Sequence, residues 1–567
     1  MNAQSNTMDT GLTKLTPEES VWVEHTLANL PLSEKIGQLF FPMLTSDTLK
    51  AEGFDETDMD GFCREFGIGG GHLFGGSLEA VSQWTRKAQS ASRIPLLLSG
   101  DLDRGGGNRI KGGVLFPYQM ALGAGDNEEL AYALGKAISL ESRLAGFNWA
   151  LGPIVDLCAS RDYQRHIATI GEDPEQVARL SCAQIRGIQD HGMAACAKHF
   201  PGDGHDDRDQ HLVTLTNPLS EQEWWQKSAF PFQRSIEAGV HSIMVAGIAV
   251  PAMDSTCSKD HIPLPAVFSR KLLGQVLRQQ MGFKGVLVSD ALNMGGMSCH
   301  YPLFERYLRA FVAGVDALLF VRRLKEARAY LLKALESEII TETRLNESVR
   351  RILELKARLR LPTELQEKTA PRPPTCLGAP EFQEYARLIA ESSITLLTDR
   401  QNQFPPILPA GAKVAHILIS NRALEMDLAP FNRELEAAGL SVETFVNPAP
   451  EYIYDRVETG EFALVVTSFY YPIQWGWGTT RYHGPFIRSM MSSYHQANPS
   501  VKSVFISLGS PFGLYEMPFM DPFLVTYGES ACSLKAVAQM VLGQIPVKGR
   551  VPVGMAGYFK RGAGIMR

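Results

Sequence analysis

The densest chemistry in the 567-residue chain lies in one stretch, Lys198-His199-Phe200-Pro201-Gly202-Asp203-Gly204-His205-Asp206-Asp207-Arg208-Asp209-Gln210-His211. Gly202 and Gly204 permit a tight loop, and that loop is crowded with groups able to move protons. Asp209 and His211 stand two apart, so an extended backbone would place both side chains on one face. A carboxylate beside an imidazole orients the ring, a pairing suited to general acid–base work. His205, Asp207, Asp209 and His211 also have the types of metal ligands, but their crowding on one loop matches no recognised zinc spacing. The sequence therefore predicts a site with no metal and no cofactor.

Other candidates recur at the ends of apolar runs. One run ends in Asp101-Leu102-Asp103-Arg104, another in Asp156, a third in Lys198-His199 and a fourth in Ser289-Asp290. A single aspartate after a strand is usually a turn or helix cap. Four runs ending in polar groups at the same end point instead to a shared site.

The runs belong to a regular series. Between residues 32 and 355, IGQLFFPML, GIGGGHLF, IPLLLSGDL, FNWALGPIVDL, MAACAKHF, HSIMVAGIAV, KGVLVSDAL and DALLFV alternate with amphipathic helical stretches. Eight apolar strands separated by helices predict a parallel sheet closed into a (β/α)8 barrel, whose catalytic groups sit at the strands' C-terminal ends. The stretch 362–382, rich in proline and polar residues, reads as a linker. Beyond it SITLLT, VAHILIS, ALVVTSF, SVFISLG and FLVTYG predict five strands of a second, smaller α/β domain. The expected division is 1–361 barrel, 362–382 linker and 383–567 α/β sandwich domain.

Composition narrows the function classes. With 61 acidic and 55 basic residues the formal charge is −6, which argues against a nucleic-acid partner. No apolar run approaches the ~20 residues of a membrane span, and the first thirty residues lack the pattern of a secretory signal. The eight cysteines form no CxxC pair, and several, such as Cys196, lie in apolar runs as buried thiols. A cytoplasmic enzyme or binding protein acting on a small molecule is expected.

Two motifs carry a resemblance. KHFPGDGHDDRDQH is similar to the K-H-F-P-G-H-G-(x)4-D-x-H signature of glycoside hydrolase family 3, in its beta-N-acetylglucosaminidase branch. GFKGVLVSDALNM resembles that family's nucleophile motif, and LANLPLSEKIGQLFFP and SVFISLGSPFGLYEMPFMDPFLVTYGES resemble its flanks. The resemblance implies Asp290 as nucleophile and His211 as acid–base with Asp209 as its partner. It implies Lys198, His199 and Asp101 as groups that grip sugar hydroxyls. The implied activity is a retaining, exo-acting hydrolysis of beta-linked N-acetylglucosamine or a related hexose from small glycosides. A histidine acid–base also repels an anionic acceptor less than a carboxylate would, so the alternative within the family is a member with altered specificity, a beta-glucosidase or a glycoside phosphorylase. A sugar-binding protein without turnover is the alternative outside it.

The chain departs from the family pattern at three places. Ala168 stands where the family has an arginine, with Arg165 nearby as a substitute; Gly247 stands where a histidine is common; and Asp203-Gly204-His205 replaces His-Gly-Asp. The aromatic loop 469–486 holds Trp475 and Trp477, whose rings suit stacking on sugar faces, so both join Arg165 as candidate substrate contacts.

Overall fold

The computed structural model describes residues 12, 14–258, 260–363, 376–478 and 481–567. They form two compact units. The first takes the described residues through Val114, with Ala131–Leu157 and Ser181–Ala379; the second takes Leu115–Leu130, Cys158–Leu180 and Pro380–Arg567. The second unit thus draws two segments from within the stretch 1–361. Of the linker at 362–382, residues 364–375 lie outside the described residues.

In the first unit all eight apolar runs become strands. They are β1 (Phe40–Phe41), β2 (Gly70–His72), β3 (Leu97–Gly100), β4 (Trp149–Ala150), β5 (Cys196–Phe200), β6 (Ser242–Val245), β7 (Val286–Ser289) and β8 (Leu318–Leu319). Every pairing is parallel: β2 with β3, β3 with β4, β5 with β6, β6 with β7 and β8 with β1. Single parallel bridges, Met43 to His72, Trp149 to Ala194 and Val288 to Ala317, complete the ring. The sheet is therefore a closed eight-stranded barrel.

The strands are buried along their whole length, the condition under which parallel strands lose polar alternation and read as continuous apolar runs. β2 is short and glycine-rich for a steric reason, since a Cβ on Gly70 would lie 2.0 Å from the Leu97 carbonyl of β3. Helices Leu78–Ala91, Ala229–Glu237, Lys271–Gln280 and Leu303–Ala313 connect successive strands. The last buries Tyr307, Leu308, Ala310 and Phe311, a helical spacing, and ends at Gly314, whose φ of 133° stops the winding.

The second unit carries a six-stranded sheet of β9 (Thr395–Thr398), β10 (Lys413–Ser420), β11 (Ser441–Val446), β12 (Leu464–Tyr470), β13 (Lys502–Ser507) and β14 (Phe523–Val525). Their order is β9-β14-β13-β12-β10-β11, parallel except for β9. Five strands were expected from the sequence; β11 is the sixth. It lies at an edge with most of its residues exposed or half-exposed, so SVETFV has no apolar run to announce it. Among the described residues no helix is long and apolar enough to cross a membrane.

Five histidines of the described residues share one electrostatic character: His72, His166 and His416 are buried, and His205 and His241 are half-buried. Burial pushes each imidazole down to about 4. An unfolded histidine titrates near pH ~6.5, so between there and pH 4 the unfolded chain binds protons that the folded chain refuses. These groups contribute stability that is present above pH 6.5 and is lost as pH falls toward 4. His416 on β10 isolates the effect: its ring is fixed between Asn432 Oδ1 at 2.6 Å and Ser468 Oγ at 2.9 Å, and burial outweighs the Asn432 bond that favours the charged form. His416→Gln should destabilise the fold at pH 7, and that penalty should shrink as pH drops from 6.5 to 4. Calorimetry of both proteins across this range checks it; a penalty independent of pH contradicts it.

Candidate active site

The candidate residues of the first unit gather at the C-terminal ends of the barrel strands. Asp101 follows β3 directly, and Lys198 projects from β5 across to it. Lys198 Nζ lies 3.0 Å from Asp101 Oδ1 and 3.3 Å from Asp103 Oδ2. Arg109 Nη2 donates to Asp101 Oδ2 at 2.9 Å, and His72 Nε2 stands 3.7 Å from the same oxygen. Asn108 Nδ2 and Arg109 Nε fix the Asp101 carbonyl at 2.7 and 3.1 Å. Burial disfavours the Asp101 charge, but Lys198, His72 and Arg109 outweigh it and hold this carboxyl well below the usual range. Asp103 goes the other way: burial raises it, and Lys198 offsets only part. Asp101 is thus an ionised carboxylate, 34% exposed, able to accept hydroxyl hydrogen bonds.

His199 is oriented by Asp156, the polar end of the fourth apolar run. Asp156 Oδ2 lies 2.7 Å from His199 Nδ1, while Oδ1 accepts the backbone N–H of His199 at 3.0 Å and of Asp203 at 2.8 Å. Asp156, His199 and Asp203 bring ligand-type atoms within 4.8 Å of one another. Both Asp156 oxygens and His199 Nδ1 are already engaged in those short hydrogen bonds, so the chemistry of the set is that of orienting a ring. His205, one of the four metal-type residues in the loop, faces Ser228 Oγ at 3.2 Å.

Asp209 and His211 pair, though by a different backbone route than expected. The segment turns rather than extends: the Asp209 carbonyl accepts Leu212 N at 2.9 Å and Val213 N at 3.1 Å. Asp209 Oδ1 accepts the His211 backbone N–H at 2.9 Å and lies 2.6 Å from His211 Nδ1. An aspartate accepting from the backbone two residues on is a local turn device, and here it also sets the ring. Asp209 is buried while the His211 side chain is 27% exposed, with Nδ1 facing the carboxylate and Nε2 on the opposite side of the ring.

Asp290 follows β7, its backbone N–H bonded to Val245 O at 2.8 Å and its Oδ1 accepting from Ala291 N at 2.7 Å. The turn after it meets the dyad loop directly. Gly295 N donates to His211 O at 2.8 Å and Gly296 N to Gln210 O at 3.2 Å. A Cβ at Gly295 would lie 2.2 Å from Leu212 O, so the approach requires glycine. Gly247, after β6, packs on this same turn: its Cβ would touch Met297 Cγ at 3.4 Å.

Arg165, Trp475 and Trp477 belong to the second unit. Arg165 is buried, and its guanidinium carbon stands 5.6 Å from the Trp475 ring centre. Arg481 Nη2 pairs with Asp162 at 2.5 Å, and the Gln164 amide bonds the Gln474 carbonyl, so segments 162–165 and 474–481 are tied together. Trp475 and Trp477 are 55% and 65% exposed. Ala168 is buried in the short turn His166–Ala168.

Three supporting residues escaped the sequence expectations: His72 at the end of β2, Arg109 within GGGNRIKGG and Thr214 beyond the dyad. Their signals were weak, since each is one polar residue in a loop or strand end.

Residues 32–355 match the model of the glycosyl hydrolase family 3 N terminal domain. The chain is 30% identical over 563 residues to a beta-N-acetylglucosaminidase/beta-glucosidase of Cellulomonas fimi, covering 94% of this chain and 95% of that one. A beta-glucoside phosphorylase superposes with TM-score 0.83 at 28% identity, covering 95% and 96% of the two chains. A family 3 beta-N-acetylglucosaminidase from Paenibacillus sp. str. FPU-7 superposes with TM-score 0.79 at 28% identity, covering 92% and 99%. With an eight-stranded barrel, carboxylates at its strand ends and a family match over more than half its length, the chain belongs to glycosyl hydrolase family 3 and is a glycosidase.

Proposed function

We propose that this glycosidase is exo-acting and retaining, and releases beta-linked N-acetylglucosamine or glucose from small glycosides. Asp290 attacks the anomeric carbon as the bond to the leaving oxygen breaks, and His211 Nε2 gives that oxygen its proton. Water then attacks the same carbon, losing a proton to His211 Nε2 as the bond to Asp290 opens. Asp209 holds the ring so that Nε2 faces the exchange. Asp101, Lys198 and His199 hold the sugar hydroxyls. The observation that carries the reading is the 2.6 Å Asp209–His211 pair, bonded through its backbone to the turn that follows Asp290. The Cellulomonas fimi relative, named for both sugars, supports the choice of substrates.

Phosphorolysis is the second reading. After donating its proton His211 is neutral, whereas a carboxylate in the same role would be negative and repel phosphate. The likeness to a beta-glucoside phosphorylase points the same way. One experiment separates these readings: chromogenic beta-glycosides of both sugars, with and without phosphate, and the products identified by NMR. Free sugar alone supports hydrolysis, sugar 1-phosphate supports phosphorolysis, and no turnover of either glycoside contradicts both.

The sugar grip has its own test. Lys198→Met removes the cation between Asp101 and Asp103. With charge-assisted hydrogen bonds worth roughly 1.5–3 kcal/mol, KM should rise by about tenfold to a hundredfold. The loss should be smaller for a substrate lacking the hydroxyl that Asp101 grips. Unchanged KM values across deoxy substrates would contradict the assignment of Asp101 and Lys198.

A further inference from the structure

We propose that Thr214 is a positioning residue for the acid–base pair, acting with His300 to lock the Asp209–His211 loop onto the Gly295–Gly296 turn. The inference rests on the roles given above to His211 and Asp290.

The two segments come from different barrel strands. One follows β5 and carries the dyad; the other follows β7, five residues beyond Asp290. Two backbone hydrogen bonds join them, Gly295 N to His211 O and Gly296 N to Gln210 O. Close contact supports those bonds: a Cβ at Gly296 would stand 2.6 Å from Val213 O and 2.8 Å from Gln210 O.

Thr214 adds the only hydroxyl in this contact among the hydrogen bonds of the described residues. Its Oγ1 donates to Gly296 O at 2.7 Å. With that hydrogen spent, the oxygen accepts from His300 Nε2 at 2.8 Å. Thr214 is buried, and His300 Nδ1 is buried with no hydrogen-bond partner in the described residues, which fits a neutral ring protonated on Nε2. Burial also lowers the His300 pKa, in keeping with a neutral ring. The loop's apolar side chains do little of this anchoring, since Leu212 is 53% and Val213 37% exposed.

The geometry matters because two events must coincide on one substrate. Asp290 attacks the anomeric carbon while His211 protonates the oxygen leaving that carbon. A fixed distance between the loop after β5 and the turn after β7 holds both groups on the same bond. A misplacement of about 1 Å costs on the order of a hundredfold in rate. Thr214 therefore acts on proton delivery, without touching the reacting atoms.

The test uses Thr214→Val, which keeps the shape and removes the hydroxyl, and Thr214→Ser, which restores it. His300→Ala is the second probe of the same contact. Each full-length variant is assayed on aryl beta-glycosides of the sugar the wild type turns over, with leaving groups from 2,4-dinitrophenol to simple phenol. Thr214→Val should lower kcat by roughly tenfold to a hundredfold on phenyl glycosides and less than about threefold on dinitrophenyl ones, because only poor leaving groups need the proton. KM and inhibition by the product sugar should hold steady. Thr214→Ser should lie within about threefold of wild type, and His300→Ala should follow the valine pattern more weakly.

Equal losses for every leaving group, or no loss at all, would overturn the positioning role. His211→Ala is run in parallel. If that variant shows no leaving-group dependence, the acid–base assignment itself falls. If it does and Thr214→Val does not, only the present inference falls.

Discussion

Asp290→Ala should lose turnover by roughly 10,000-fold or more while keeping its fold, because it removes the carboxylate assigned to form the glycosyl-enzyme bond. Asp290 is half-buried and makes one side-chain hydrogen bond, to Ala291 N at 2.7 Å. Alanine therefore removes little packing, and the melting temperature should stay close to wild type. A chemical rescue distinguishes a lost nucleophile from a damaged pocket. Azide can enter the space the carboxylate leaves and displace an activated aryloxide directly. The product should be the alpha-glycosyl azide, formed with a single inversion. Hydrolysis by the folded variant near the wild-type rate, or a beta-azide product, would contradict the assignment of Asp290.

His211→Ala should give the complementary pattern. Loss of a positioned acid–base costs about 100- to 10,000-fold on substrates with poor leaving groups and far less on activated ones. With an activated substrate the first step survives and the second, which needs a base, becomes limiting. Azide needs no base, so it should accelerate turnover and yield the beta-glycosyl azide by two inversions. Asp209→Ala should weaken the same step, since it removes the oxygen 2.6 Å from His211 Nδ1 and the cap on the His211 backbone N–H. The double variant should be little worse than His211→Ala alone, because the two residues act as one unit. Fully additive losses, or losses equal for all leaving groups, would speak against the pair.

Those two outcomes concern residues that could be read directly from the chain. The barrel was legible because parallel strands buried on both faces must be apolar throughout, and eight such runs stand out between residues 36 and 321. Asp101, Lys198, His199 and Asp290 were legible because a polar residue that ends a buried strand breaks an otherwise continuous pattern. Asp209 and His211 were legible for a local reason, two chemically coupled types two residues apart. The strand β11 was not, because an exposed edge strand carries little hydrophobic signal.

Sequence by itself thus determined the barrel, its second α/β partner and the residue types that carry glycosidase chemistry. Only the tertiary structure decided how those groups are set. Lys198 and Asp101 meet at 3.0 Å although 97 residues separate them, and Asp156 orients His199 from 43 residues away. The turn after β7 lies against the dyad loop, and Thr214 joins it to His300 across 86 residues. Such contacts leave no local trace, because a hydrogen bond between loops depends on where their strands stand in the barrel. A lone threonine or glycine in sequence carries no record of the backbone it will touch.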